Sequence, residues 1–308
     1  MRAGPEASGL LAELWDPRGP HTGRARRWQR ALAPAELLFR AGVAARGAAL
    51  RAGLLPAQQA PIPILTVGGL EAGGTGKTPL CLELVRLAAR AGYRPAVLSR
   101  GYGARSMGSR RGGATWKVPA LAGEGDAARY GDEPLWLAAR AAQHGGAGVW
   151  VAPARIHAAR AAAAAGADLA ILDDGFQHRR LRRDGEIVTL GGRHPFANGR
   201  LLPRGPLREP PAALRRADVV VLAGVEPEAA GESAGRVRPW LRDGVPILSW
   251  RAMPALLPVR GAGPAAGAPV LLVAGIAHPE RLLEALVRLG QPVAQHRFFP
   301  DHHRFTAG

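Results

Sequence analysis

The chain has 308 residues, one cysteine (Cys81), and only two lysines, Lys77 and Lys117, among 41 basic residues. One thiol excludes an intrachain disulfide and fits a reducing compartment. Aromatic residues make up 5% of the sequence. They form no basic-aromatic pattern of the nucleic-acid modules, so no nucleic-acid partner is expected. No stretch approaches the roughly 18 uncharged apolar residues of a membrane span. The N-terminus lacks the basic-then-apolar order of a signal peptide. A cytoplasmic protein is expected, and no protein partner is evident.

What is present is alanine, glycine and arginine. Apolar residues reach 47%, enough for a globular chain of one large or two ordinary domains. Much of that share is alanine, which favours helices and leaves few large core side chains. The formal charge of +17 would suit nucleic acid, a membrane surface or an anionic substrate. An excess of Arg and Ala of this kind is also what a coding bias produces, so the charge is discounted. With aromatics scarce, an anionic small molecule or lipid is the better reading.

Residues 62–79 read IPILTVGGLEAGGTGKTP. A short apolar run breaks into glycines, and Gly-Lys-Thr opens a helical pattern, which is the context a phosphate-binding loop requires. Glycines let backbone N–H groups curl around an anion, and the helix N-terminus adds partial positive charge. Gly73, Gly74, Thr75, Gly76, Lys77 and Thr78 are the candidate nucleotide-binding residues. Lys77 would reach the β- and γ-phosphates, and the Thr78 hydroxyl would ligate Mg²⁺. The strict pattern asks for glycine where this chain has Glu71. A sequence that otherwise writes its cations as arginine has kept lysine where such a loop needs one.

Residues 1–30 read as partly irregular. From 31 to 55 the pattern is helical, with Leu32, Phe39, Val43, Leu50 and Leu54 on one stripe. Arg40 and Arg51 flank the stripe, and Glu36 and Arg46 intrude on its edges. Such a helix can lie in a membrane interface, its cations meeting lipid phosphates, or pack on its own domain.

Strands are predicted at 96–99, 149–152, 169–172, 218–222, 245–250 and 270–274, with a helix at 279–289. Alternating strands and helices predict an α/β fold, a P-loop doubly wound and mainly parallel sheet. The expected division is an N-terminal helical region at 1–60, a nucleotide-binding domain at 61–185 and a second, smaller α/β domain at 186–308. Residues 104–125 read as a basic, Gly-rich loop. The strand at 169–172 delivers Asp173 and Asp174 to its carboxyl end, as Mg²⁺ contacts or as helix caps. Asp132 and Glu133 in GDEP open a helix, where acids are favourable in any case. Arginines 204 and 208, in NGRLLPRGPLREP, could hold phosphates bidentately or simply be solvated.

VGGLEAGGTGKTP, SRGYG, GDEP, DDGFQHRRL, NGRLLPRGPLREP and FPDHH, in this order, together resemble the tetraacyldisaccharide 4′-kinase family of Gram-negative bacteria. The resemblance spans most of the chain and implies transfer of the ATP γ-phosphate to the 4′-hydroxyl of a tetraacylated disaccharide 1-phosphate, an anionic glycolipid. It also implies Mg²⁺ and peripheral attachment to the cytoplasmic face of the inner membrane through the N-terminal helical region. It assigns the general base to Asp132, paired with His302, and places Arg100, Gln177, His178, Arg204 and Arg208 at the substrate. Three departures stand out. Gly69 replaces a usual Asn, Gly191 replaces a usual Asp, and the sequence ends at Gly308, so a C-terminally short second domain is expected. A P-loop ATPase of the partitioning or metal-insertase type is the rival, but Ala72 stands where those loops carry a signature lysine.

Overall fold

The computed structural model describes residues 5–73, 75–101, 115–121, 129–251, 267–275 and 279–299. Eight strands form one sheet: β1 (Ile64–Gly69), β2 (Pro95–Ser99), β3 (Trp116–Val118), β4 (Gly148–Val151), β5 (Leu169–Asp173), β6 (Gly185–Gly191), β7 (Val219–Ala223) and β8 (Ile247–Trp250). Their order is β3-β4-β2-β5-β1-β6-β7-β8. Only β3 runs antiparallel to its neighbour. It lies within the stretch expected to be a loop; three residues are too few to show a period. The central strands PAVLS and LAILD are buried along their whole length. Continuous apolar runs of that kind are what a sheet covered on both faces demands.

The covering helices differ in how they pack. On one face lie α4 (Lys77–Arg90) and α5 (Asp132–Gln143), with Leu80, Val85, Leu135 and Leu137 in the core. On the other face α6 (Arg155–Ala164) presents Ala158, Ala159 and Ala162. Small side chains let this helix sit close to the strands where bulky ones would hold it away. A third cluster, around Phe176, Leu190, Leu207 and Leu214, anchors the arginine-rich loop to β6 and β7. Burying Phe176 contributes about 1.5–3 kcal/mol.

At the N-terminus, where partly irregular chain within a helical region was expected, there are two helices, α1 (Pro5–Leu14) and α2 (Gly23–Ala31). The sequence of α2, GRARRWQRA, carries no apolar stripe, so periodicity could not reveal it. Its start is held by Thr22, whose hydroxyl accepts from the Ala25 N–H at 3.1 Å. In α3 (Ala33–Arg51) Phe39 of the stripe identified in the sequence packs on the third cluster, while Leu54, beyond the helix end, is exposed. Glu36 is buried on the same face, where it accepts from the Leu201 N–H at 3.0 Å and from Arg204 at 3.2 Å. The exposed apolar residues of this helix are Leu37 and Leu38.

The division expected at 185/186 lies inside the sheet, because β6 pairs directly with β1. By contacts the chain separates into Leu10–Arg251 and a second unit of Met1–Gly9 with Ala252–Gly308. The described core of that second unit is a βαβ element. Strands β9 (Val270–Ala274) and β10 (Val293–Phe298) pair in parallel, joined by α7 (Pro279–Arg288).

One close approach sets the geometry above β1. A Cβ placed on Gly68 would lie 2.5 Å from Phe176 Cβ and 2.6 Å from its backbone nitrogen. Gly68→Ala is expected to destabilise the protein by about 1–3 kcal/mol or more, because backbone must move. A fall in the urea midpoint at unchanged m-value checks this; an unchanged midpoint would show that the contact yields freely.

Candidate active site

The carboxyl ends of β1, β5 and β6 meet the N-termini of α4, α5 and α6. Open α/β sheets place their ligands at such an edge. After β1 the loop passes through Gly76, left-handed at φ 72°, directly into Lys77 as the first residue of α4. No side chain caps this helix start. Its first N–H groups therefore face the loop interior and are available to an anion. Lys77 folds back, donating to the Gly73 carbonyl at 2.9 Å, with Asp174 Oδ1 at 3.7 Å.

Asp174 follows β5 in a left-handed conformation, φ 48°, which Asp tolerates better than most residues. Its second oxygen accepts from Arg208 at 2.7 Å. Arg208 also reaches Gln177 Oε1 at 3.4 Å, and Gln177 donates to the Gly69 carbonyl at 3.0 Å. Arg46 donates to the Gln177 carbonyl at 2.9 Å. Of the substrate residues named from the sequence, Gln177 and Arg208 thus stand at the phosphate loop. Arg204 instead holds Glu36 of α3, and Arg100 is exposed just beyond β2. His178 lies half-buried in a field of Arg155, Arg183, Arg100 and Arg46. Burial first, then these cations, push its pKa down to about 4, so it is neutral near pH 7.

Asp173 is buried at the end of β5 and accepts weakly from the Cys81 thiol at 3.5 Å. Burial, then the charges of Glu133 and Asp174, push it up to about 7. Asp132 opens α5, its carboxylate accepting from the Glu133 N–H at 3.0 Å. His302 lies outside the described residues, and so does Gly74. Thr75 is buried and bonded to Thr189 at 2.9 Å.

Four groups were not singled out as site residues in the sequence. Glu133 accepts from the Thr78 hydroxyl, tying α5 to the phosphate loop. Cys81 supports Asp173 from within α4. Arg155 is buried at the start of α6, donating to the Ala152 carbonyl at 3.1 Å, with its Nε unpartnered. Burial and nearby Arg100 lower its pKa to about 10. Glu71 is the fourth. Its Oε1 is buried without a hydrogen bond. That oxygen sits 3.9 Å from where a Cβ on Gly191 would be, in ordinary contact distance, with the His194 carbonyl nearer at 3.3 Å. The absence of Asn at 69 also has a steric counterpart. A Cβ there would lie 3.0 Å from the Thr189 carbonyl and 3.2 Å from Thr75 Oγ1.

Among the described residues no three His, Cys, Asp or Glu side chains gather into a metal-holding group. Mg²⁺ at phosphates does not require one, since it takes one or two carboxylates plus phosphate and water. Asp173, Asp174 and the Thr78 hydroxyl fit that demand, and Asp174 Oδ1 accepts no hydrogen bond in the described structure.

A parallel sheet, a glycine loop running into a lysine-led helix, and paired acids on the adjacent strand define an α/β protein of the P-loop class. The family model described as Tetraacyldisaccharide-1-P 4′-kinase matches residues 28–308. The chain belongs to that family. A tetraacyldisaccharide 4′-kinase of Anaeromyxobacter dehalogenans strain 2CP-C is 44% identical, aligning 98% of this chain with 79% of its own. One from Chromobacterium violaceum is 40% identical, aligning 94% of this chain with 81% of its own. The solved structure of the "apo" form of LpxK from Aquifex aeolicus in complex with ATP is 29% identical. It superposes with a TM-score of 0.70 over 91% of this chain and 85% of that one.

The buried carboxyl of Glu71 has a measurable consequence. Burial pushes its pKa from 4.5 to about 7, against the opposing pull of Lys77. Between those values the folded chain keeps a proton that the unfolded chain has released. Stability is therefore lost as pH rises from 4.5 towards 7. Glu71→Gln should remove that loss, raising Tm by a few degrees at about pH 8 and by nothing at about pH 4. Equal melting of variant and wild type at both pH values would mean that Glu71 is hydrated.

Proposed function

We propose that this chain is an ATP-dependent kinase that transfers the γ-phosphate to the 4′-hydroxyl of a tetraacyldisaccharide 1-phosphate. The observation that carries the reading is the meeting of Lys77, Asp174 and Arg208 at the mouth of the phosphate loop, within a chain of this family. The N–H groups at the start of α4 would bind the phosphates, and Lys77 would follow the charge that develops on the transferring group. Thr78, Asp173 and Asp174 would hold Mg²⁺, which would supply positive charge against that of the phosphates. Glu133, through Thr78, would keep that hydroxyl oriented.

Asp132 is our candidate for the general base, with His302 as its partner. The carboxylate would accept the 4′-hydroxyl proton, and imidazole would orient it and share its charge. Arg100, Gln177, His178, Arg204 and Arg208 are proposed at the substrate, with Arg155 added to them. The Arg100–Arg155 side of the site suits an anionic group, because Arg100 lies close enough to disfavour the charge of Arg155. Arg204 would act partly through Glu36, which joins the arginine loop to α3.

No described helix is long and apolar enough to cross a membrane. Peripheral attachment to the cytoplasmic face of the inner membrane is proposed through residues 31–55. Leu37 and Leu38, exposed on α3, would supply the apolar contact, with Arg40 beside them and Arg51 at the far end of the helix adding about 1 kcal/mol each at an anionic surface.

The direct test is ATP-dependent phosphorylation of the disaccharide 1-phosphate. ATP hydrolysis without transfer would favour a nucleotide-switch ATPase. Lys77→Ala should remove nearly all turnover in a folded protein, at a cost on the order of several kcal/mol in the barrier. Asp132→Asn should lower kcat by about 10²–10⁴ with little change in KM for ATP. A variant at 132 with intact kcat would rule out that base. For the membrane, Leu37→Asp with Leu38→Asp should reduce co-sedimentation with anionic liposomes several-fold; unchanged binding would place the contact elsewhere.

A further inference from the structure

The phosphate loop has two flanks, and the groups proposed for the metal and the proton occupy only one. Asp173, Asp174 and the Thr78–Glu133 pair lie on the side of β5 and α5. On the other side of β1 the sheet continues through β6 and β7 to β8. A triphosphate whose reacting end meets the carboxylates must send its other end across those strands. What waits there is an aromatic floor. Trp250 is the last residue of β8, paired with Ala223 at the end of β7. Its indole reaches past Ala223 to the loop itself. A Cβ on Gly76 would lie 3.0 Å from Trp250 Cζ3, 3.6 Å from Ala223 Cβ and 3.7 Å from Trp250 Cε3.

The ring is anchored and, among the described residues, only partly covered. Trp250 packs on the core beneath α4 yet stays half-buried, and its carbonyl accepts from the Gly224 N–H at 2.8 Å. Gly224 is left-handed, φ 77°, and a Cβ there would meet nothing within 4 Å. Beside the ring, Arg251 pairs with Glu226. Among the described residues the ring is therefore fixed at one edge against the loop and only partly covered. We infer that Trp250 is the platform on which the purine base of the nucleotide stacks. This rests on the kinase reading above and adds to it the subsite for the nucleoside. Stacking on an indole reads a π-face rather than a hydrogen-bond pattern, so this floor supplies affinity for the base more than discrimination among purines.

The alternative role for Trp250 is to brace the loop at Gly76, and the two roles separate by ligand. Inorganic triphosphate needs the loop but has no base. Equilibrium binding of Mg²⁺-ATP and of Mg²⁺-triphosphate would be measured on the full chain and on Trp250→Ala, Trp250→Leu and Trp250→Phe. Trp250→Ala and Trp250→Leu should weaken ATP by about tenfold or more and leave triphosphate within about twofold, while Trp250→Phe recovers most of the loss. If the alanine variant does not fold, the Leu–Phe pair decides alone, since both keep an apolar side chain of useful size. Equal weakening of both ligands, or unchanged ATP binding in Trp250→Leu, overturns the inference. A wild-type chain that binds neither ligand overturns the kinase reading as well.

Discussion

Asp174 is shared between Lys77 and Arg208, and much of the edge above the sheet depends on that sharing. One oxygen faces the loop lysine at 3.7 Å and the other accepts from the loop arginine at 2.7 Å. Through it the phosphate loop, the end of β5 and the arginine-rich segment are held as one piece. Gln177 extends the link to the Gly69 carbonyl, and Arg46 brings in α3. A phosphate entering the loop competes with this carboxylate for the same lysine. The ion pair is partly exposed, so screening keeps that competition within reach of a bound anion.

Burial sharpens the electrostatics around this pair. Asp173 and Glu71 are both carried to about 7, chiefly because the chain covers them. His178 is carried down to about 4 for the same reason, with arginines adding to the effect. These groups move towards neutrality where water is scarce, while Lys77 and Arg208 keep a counter-ion. A cation arriving with phosphate would reverse the balance at Asp173, favouring the charged form.

Helix α3 shows how one element can face two environments. Its inward side carries Phe39 into the core and Glu36 to Arg204. Its outward side leaves Leu37 and Leu38 in the open. The arrangement couples a face proposed for the membrane to the arginine loop proposed for the substrate, through one buried carboxylate.

The elements whose chemistry is local were legible in the sequence. The loop at 73–78 needs glycines, a lysine and a helix start in consecutive positions, and the strands PAVLS and LAILD announce burial on both faces by their unbroken apolar runs. The stripe of α3 was equally plain, but its direction was not. Whether an apolar face meets lipid or core depends on what packs opposite, and here the third cluster takes Phe39 while Leu201 and Arg204 hold Glu36 beside it. The partners of Glu71, Glu133 and Trp250 were beyond the sequence for the same reason. Glu133 lies 55 positions from Thr78, and Gly191 and Gly76, which Glu71 and Trp250 approach, belong to other elements. Sequence sets which groups a segment can offer, because backbone geometry and side-chain period are local. Sheet order decides which of them meet, because strands distant in the chain lie side by side only when the whole edge has formed.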